Sequence, residues 1–211
     1  MTGPLALVRD FFVVPAGHAE RAAARPPPAQ ASFAVLGDRR DAVAVASGLV
    51  LARGAGAGLV CVWPPGDHRP RLPATTRARR LAARLEARGL TAVGGARVVR
   101  VSLPAPAAEA VATAQRAAAA VDVTTAVVLA GAREDEFDAL LWLQDAVVLV
   151  LREPVESPLV RLAVSGLANA AGRVVTVSAP SGPDRALATA GLVAPPALRS
   201  ALAPALAAVA R

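Results

Sequence analysis

Lysine, isoleucine and tyrosine are absent from the chain, and its single methionine is residue 1. Without lysine there is no Schiff-base amine, no aldimine with a cofactor aldehyde and no P-loop ammonium to hold a phosphate. Cysteine occurs once, at Cys61, so no disulfide closes within the chain and no thiolate cluster holds a metal. The two histidines, His18 and His68, have no partner at ligand spacing and read as surface residues rather than zinc ligands or a catalytic triad. Aromatic residues make up only 3%, yet 55% of the chain is hydrophobic and 18% charged, a balance that excludes disorder as the main state. The 211 residues suit one ordinary domain and are too few for two. All 23 basic residues are arginine, and against 16 acidic ones they leave a net charge of +7. That excess permits contact with nucleic acid or anionic lipid without requiring either. The surplus of Ala, Arg, Pro, Gly and Val has the bias of a GC-rich genome, so the basic residues by themselves do not mark a binding surface.

Long apolar runs are also missing. The N-terminal patch (Leu5, Leu7, Val8, Phe11, Phe12, Val13, Val14) is broken by Arg9 and Asp10, the wrong order for a signal peptide. No window reaches the roughly 18 uncharged apolar residues of a membrane span. A cytoplasmic protein is expected. Residues 15–31 have linker composition, with Pro26, Pro27 and Pro28 as a stiff spacer, so residues 1–31 form an apolar segment plus linker and 32–211 a single α/β domain.

Within that domain, short β-rich runs alternate with Ala-rich helical stretches. Strands are expected at 33–36, 59–63, 97–103, 124–130, 146–151 and 173–178. Helices are expected at 41–53, 75–88, 105–120, 134–143, 157–171 and 197–210, the last broken at Pro204. Six βα repeats whose strands are continuous apolar runs predict a mostly parallel sheet covered on both faces, a three-layer α/β sandwich. An eight-stranded barrel needs about 250 residues and is excluded. Ligands of such sheets bind beyond the carboxyl ends of the strands, which directs attention to loops 37–41, 64–74, 131–135, 152–156 and 179–184.

Four stretches carry chemistry worth weighing. Gly37-Asp38-Arg39-Arg40-Asp41 joins a strand to a helix, where phosphate loops sit because helix N-terminal amides attract anions. The P-loop formula started at Gly37 ends on Ala42, Val43 and Ala44 instead of glycine, lysine and a hydroxyl, and Asp38 and Asp41 repel phosphate. Arg39 and Arg40 replace some of the positive charge. Gly54 to Gly58 has alternating glycines but lies between a helix and the following strand, so it reads as a helix end and turn. Arg77, Arg80, Arg84 and Arg88 form a basic stripe along helix 75–88, with Leu81 and Leu85 on another face. That stripe reads either as a solvated helix face or as a contact for phosphate or other anionic groups. Glu134, Asp135 and Glu136 suit the first turn of a helix, where the macrodipole favours carboxylates, and Gln144-Asp145 reads as packing and a turn. No metal site is expected.

The order of elements resembles the MinD/ParA-type deviant-Walker ATPases, including CpaE/TadZ-like proteins, over most of residues 33–180. FAVLGDRRDAVAVASGLVLA stands where that family has its strand, signature-lysine P-loop and helix. GLVCVW and TTAVVLAG occupy the strands that end in the switch and metal-linked aspartates, and Asp145 stands at a further matching aspartate. The resemblance implies a P-loop NTPase-like topology of the SIMIBI type. The chain departs from it wherever the family has catalytic groups: Asp38 replaces the signature lysine, Val43 the P-loop lysine and Ala130 the metal-linked aspartate, and Trp63 stands near the switch aspartate. The implied protein is a non-catalytic pseudo-ATPase with no bound cofactor, a homodimer that recruits an unidentified protein partner in a pilus, secretion or positioning system. Two other expectations stand beside it: a basic DNA- or membrane-associated module using the arginine stripe, and a nucleotide-dependent or transferase-type enzyme with an arginine-substituted site.

Overall fold

In the computed structural model, the described residues are 31–53, 57–62, 75–104, 106–130, 132, 134–152, 164–167 and 174–209. The expected N-terminal segment and linker at 1–30, His18, Trp63, His68, loop 64–74 and Gly54 to Gly56 lie outside them, as does most of the expected helix 157–171, of which residues 164–167 are helical.

Seven strands form one sheet: β1 Ser32–Leu36, β2 Gly58–Val62, β3 Ala92–Gly94, β4 Val98–Ser102, β5 Thr124–Val128, β6 Ala146–Leu151 and β7 Val174–Ser178, in the order β3-β4-β2-β5-β1-β6-β7. All neighbours pair in parallel except β3 with β4. The helices are α1 Arg39–Ala52, α2 Thr76–Glu86, α3 Ala107–Ala119, α4 Glu134–Trp142, α5 Gly182–Thr189 and α6 Pro196–Val209.

Alternation along each strand divides the apolar residues between two cores. Ala34, Leu36, Leu59, Cys61, Val99, Val101 and Val127 face α2, α3 and α4. Phe33, Val35, Val60, Val62, Val98, Ala126 and Val148 face α1, α5 and α6. Helices thus cover both faces of a mostly parallel sheet, as its apolar strands require. Helix α1 is buried at every position from Asp41 to Leu51. Its all-round apolar sequence suits a helix packed against the sheet on one side and α5 and α6 on the other. Gly48 permits the close approach of α6, since a Cβ there would meet Leu198 at 2.6 Å.

The structure differs from the sequence expectations in three elements. Strand β3 is a seventh strand, three residues long and ending on Gly94, too short to show alternation. It pairs antiparallel with β4 through a hairpin closed by the Gly95 amide donating to the Val98 carbonyl at 2.7 Å. Because β2 and β3 run antiparallel, the handedness rule for parallel crossovers does not bind their connection, and α2 joins α3 and α4 on one face. Helix α5 occupies part of the expected loop 179–184. Helix α6 runs unbroken through Pro204, which is exposed, as is Ser200, so the carbonyl that loses its amide partner is left to water.

Asp145 marks the amino-terminal edge of the sheet. Its Oδ2 accepts from the Ser32 amide at 2.7 Å and from Ser32 Oγ at 2.9 Å, tying the start of β6 to the start of β1. The buried Gln144 donates to the Leu140 carbonyl and accepts from Gln115, joining α4 to α3. Pro106, the N-cap of α3, has no side chain to cap with, and Glu136 of α4 supplies the missing acceptor for the Ala107 amide at 2.6 Å. Cys61 is fully buried in β2, and that burial pushes its thiol up to about 12. It packs as a small apolar side chain.

Candidate functional site

Strand β1 lies in the middle of the parallel strands, between β5 and β6. The connection from β1 leads to α1 on one face, and the connection from β5 leads to α4 on the other. Adjacent strands whose connections part in this way open a crevice at their carboxyl ends, the position where ligands of open α/β sheets bind. The segment Gly37 to Asp41 lies at that position, between the carboxyl end of β1 and the start of α1.

Gly37 makes the turn out of β1. Its φ is +141°, and a Cβ there would lie 2.8 Å from the Val150 carbonyl oxygen and 2.9 Å from Val150 Cβ. The glycine is therefore required by backbone conformation and by the close passage of β6. Asp38 is the N-cap of α1, accepting from the Arg40 amide at 3.0 Å. Gly37, Asp38, Arg39 and Arg40 are exposed, whereas the Asp41 side chain keeps only 2% of its exposure. Val43 and Ala44, at the P-loop lysine and hydroxyl positions of the resemblance, are buried in the helix.

Asp41 does not face an open phosphate position. Its Oδ2 accepts from Arg152 Nε at 2.7 Å, and its Oδ1 accepts from Arg185 Nη1 at 2.9 Å. Arg152 extends the network, placing Nη2 3.2 Å from Asp38 Oδ1. Burial pushes the Asp41 carboxyl upward, but the hydrogen bonds and charges of Arg152 and Arg185 outweigh it and hold the carboxyl below its ordinary range. The same contacts raise the Arg152 guanidinium. Two carboxylates and two guanidiniums therefore neutralise one another at the N-terminus of α1, and Asp38 takes the hydrogen-bonding place that a bound anion would use.

Neither arginine was singled out by sequence reasoning. Arg152 directly follows β6, and its nearness to Asp41 depends on β6 pairing beside β1, which no local pattern reveals. Arg185 lies on α5, whose start does carry a signal: Ser181 as N-cap, Pro183 within the first two helical positions and Asp184 in the first turn. Read as loop composition, that signal concealed the helix. Asp145, which the resemblance sets at a family aspartate, lies at the opposite end of the sheet from this crevice.

The arginine stripe is a second, separate feature. Arg77, Arg80 and Arg84 line one groove between α2 and the end of α3. Arg88 lies past the end of the helix and turns back, donating from Nη1 to the Arg84 carbonyl at 2.9 Å. Among the described residues no group of three or more His, Cys, Asp or Glu is placed to hold a metal ion, and no helix is long and apolar enough to cross a membrane.

No protein-family model, curated protein or solved structure matches the chain. The functional reading therefore rests on the residues of the crevice and the groove.

Proposed function

We propose that this chain is a non-catalytic, MinD/ParA-like pseudo-ATPase that acts as a scaffold and recruits other proteins. The observation that carries this reading is the Asp38–Asp41–Arg152–Arg185 network. It occupies the strand–turn–helix position where a P-loop would cradle phosphate, and it satisfies that position with the chain's own charges. Phosphoryl transfer needs cationic groups and a metal to neutralise the charge developing on the transferred group. Here both network arginines are already committed to carboxylates, and the lysine, hydroxyl and metal-linked aspartate positions hold Val43, Ala44 and Ala130. The strand order adds support, because it puts β1 beside β5, the strand that leads to Ala130.

Isothermal titration with ATP, ADP and GTP in the presence of magnesium tests the reading. No saturable heat is expected at micromolar nucleotide. Micromolar binding with turnover, both lost on replacing Arg39 or Arg40 by Ala, would instead establish an enzyme with an arginine-substituted site.

Self-association as a dimer belongs to the same reading, motivated by the resemblance and by the apolar N-terminal residues. Sedimentation velocity at high micromolar concentration is expected to show a dimer, and a sole monomeric species would remove that part of the proposal.

A further inference from the structure

The groove between α2 and the end of α3 has a volume of about 620 Å³. Besides Thr76, its lining is of two kinds. Ala83, Ala120 and Val121 provide methyl-bearing surface, and Arg77, Arg80 and Arg84 provide guanidinium groups. The three arginines fall at positions i, i+3 and i+7 of α2, so they share one side of the helix over roughly 10 Å of its length. Leu81, Leu85 and Ala78 lie roughly a quarter-turn round the helix from this row and are fully buried, which fixes the rotation of α2 and leaves the arginines exposed.

Among the described residues, no carboxylate pairs with Arg80 or Arg84. Arg88 has left the row, so the charge is concentrated beside the apolar surface and does not extend past the helix end.

We infer that this groove is a docking site for an acidic peptide segment of a partner protein, one that lays an apolar side chain against Ala83, Ala120 and Val121 while its carboxylates meet Arg80 and Arg84. Charge complementarity selects an anionic occupant. Guanidinium serves carboxylates and phosphates alike, because its planar fork donates two parallel hydrogen bonds to either. The apolar surface then selects among anionic occupants. A nucleic-acid backbone gains nothing from a floor of methyl groups, and a single-stranded one stacks its bases on aromatic side chains, none of which lines this groove among the described residues. A peptide presents acidic and apolar side chains within one helical turn or one strand, at the spacing that the groove offers. The inference rests on the partner-recruiting reading above and names the chemistry of the partner. The nucleotide titration tests that reading at the β1–α1 crevice, so either can fail without the other.

The experiment is fluorescence anisotropy on the full chain, using a fluorescein-labelled peptide of repeated Glu-Glu-Leu units. Its Gln-for-Glu counterpart, a duplex DNA oligonucleotide and phosphatidylserine-containing vesicles are the comparison ligands. The Glu peptide is expected to bind and the Gln peptide to bind at least about tenfold more weakly. The double replacement of Arg80 and Arg84 by Ala is expected to weaken Glu-peptide binding about tenfold, with the fold kept because Ala is the better helix former. Val121→Asn, which removes methyl surface without adding charge, is expected to weaken it about fivefold. Ala83→Gln, at an exposed position of α2, repeats that test if Val121→Asn lowers the melting temperature.

Absence of Glu-peptide binding overturns the inference. So does a Glu-peptide affinity that neither Val121→Asn nor Ala83→Gln changes, which would reduce the groove to a plain cationic surface. DNA or vesicles binding more tightly than the peptide, with the same dependence on Arg80 and Arg84, would assign the arginines to phosphate instead.

Discussion

Replacing Asp41 by Ala should lower the stability of the protein by about 2–3 kcal/mol at neutral pH. The carboxylate is 2% exposed, and each of its oxygens accepts a hydrogen bond from a guanidinium, at 2.7 and 2.9 Å. Its removal takes away both charge-assisted bonds and leaves two arginines with no counter-charge between them. Full separation of a buried ion pair costs about 3–5 kcal/mol. The figure here is smaller because the partners are half in water, with side-chain exposures of 59% for Arg152 and 37% for Arg185. Asp38→Ala should cost less, about 1 kcal/mol, since it removes an exposed N-cap.

The pH dependence follows from the direction of the Asp41 shift. Its carboxyl sits lower in the folded chain than the ordinary value of 3.8 that applies on unfolding. On acidification the unfolded chain therefore takes up the proton first. The stabilisation is complete above the unfolded value and is lost as pH falls through the folded one. Urea unfolding of wild type and Asp41→Asn should show a stability gap that is constant near neutral pH and closes below about pH 4. A gap that persists unchanged into strong acid would mean that Asp41 acts through shape and not through charge.

This network shows where sequence reading reaches and where it stops. The β1, β2, β5 and β6 runs were legible because a parallel sheet with two covered faces demands apolar strands, and β4 and β7 because valines flank Arg100 and Thr176 in β-branched runs. Helix α2 was legible from the alternation of Leu81 and Leu85 with arginines. The short β3 escaped because three residues carry no period. Helix α5 escaped because Pro183 marks a helix start as readily as a loop. The β1–α1 turn was legible as a place, and its aspartates as out of keeping with phosphate. Their partners were not, because Arg152 and Arg185 stand 111 and 144 residues from Asp41. Only the pairing of β6 beside β1 and the packing of α5 against α1 bring them there.

Gly37→Ala should be the most damaging single change in the crevice, lowering stability by about 3 kcal/mol or more. Two costs add at this position. The backbone holds φ at +141°, where a Cβ is strained whatever space surrounds it. The added methyl would also lie 2.8 Å from the Val150 carbonyl oxygen. That oxygen belongs to β6, which is paired along β1 through Leu36 and Leu149, so it cannot yield without opening the ladder. The strain can be relieved by shifting the turn, but the turn carries Asp38 and Asp41, and a shift pulls both carboxylates away from Arg152. The substitution should therefore both destabilise the fold and flatten the acid-dependent part of its stability. Chemical unfolding of Gly37→Ala at neutral and acidic pH separates these effects. Stability within about 0.5 kcal/mol of wild type would show that β1 leaves its turn along a different path and that the glycine is dispensable. A large loss with the acid dependence intact would place the whole cost in the β1–β6 crossing and leave the charge network undisturbed.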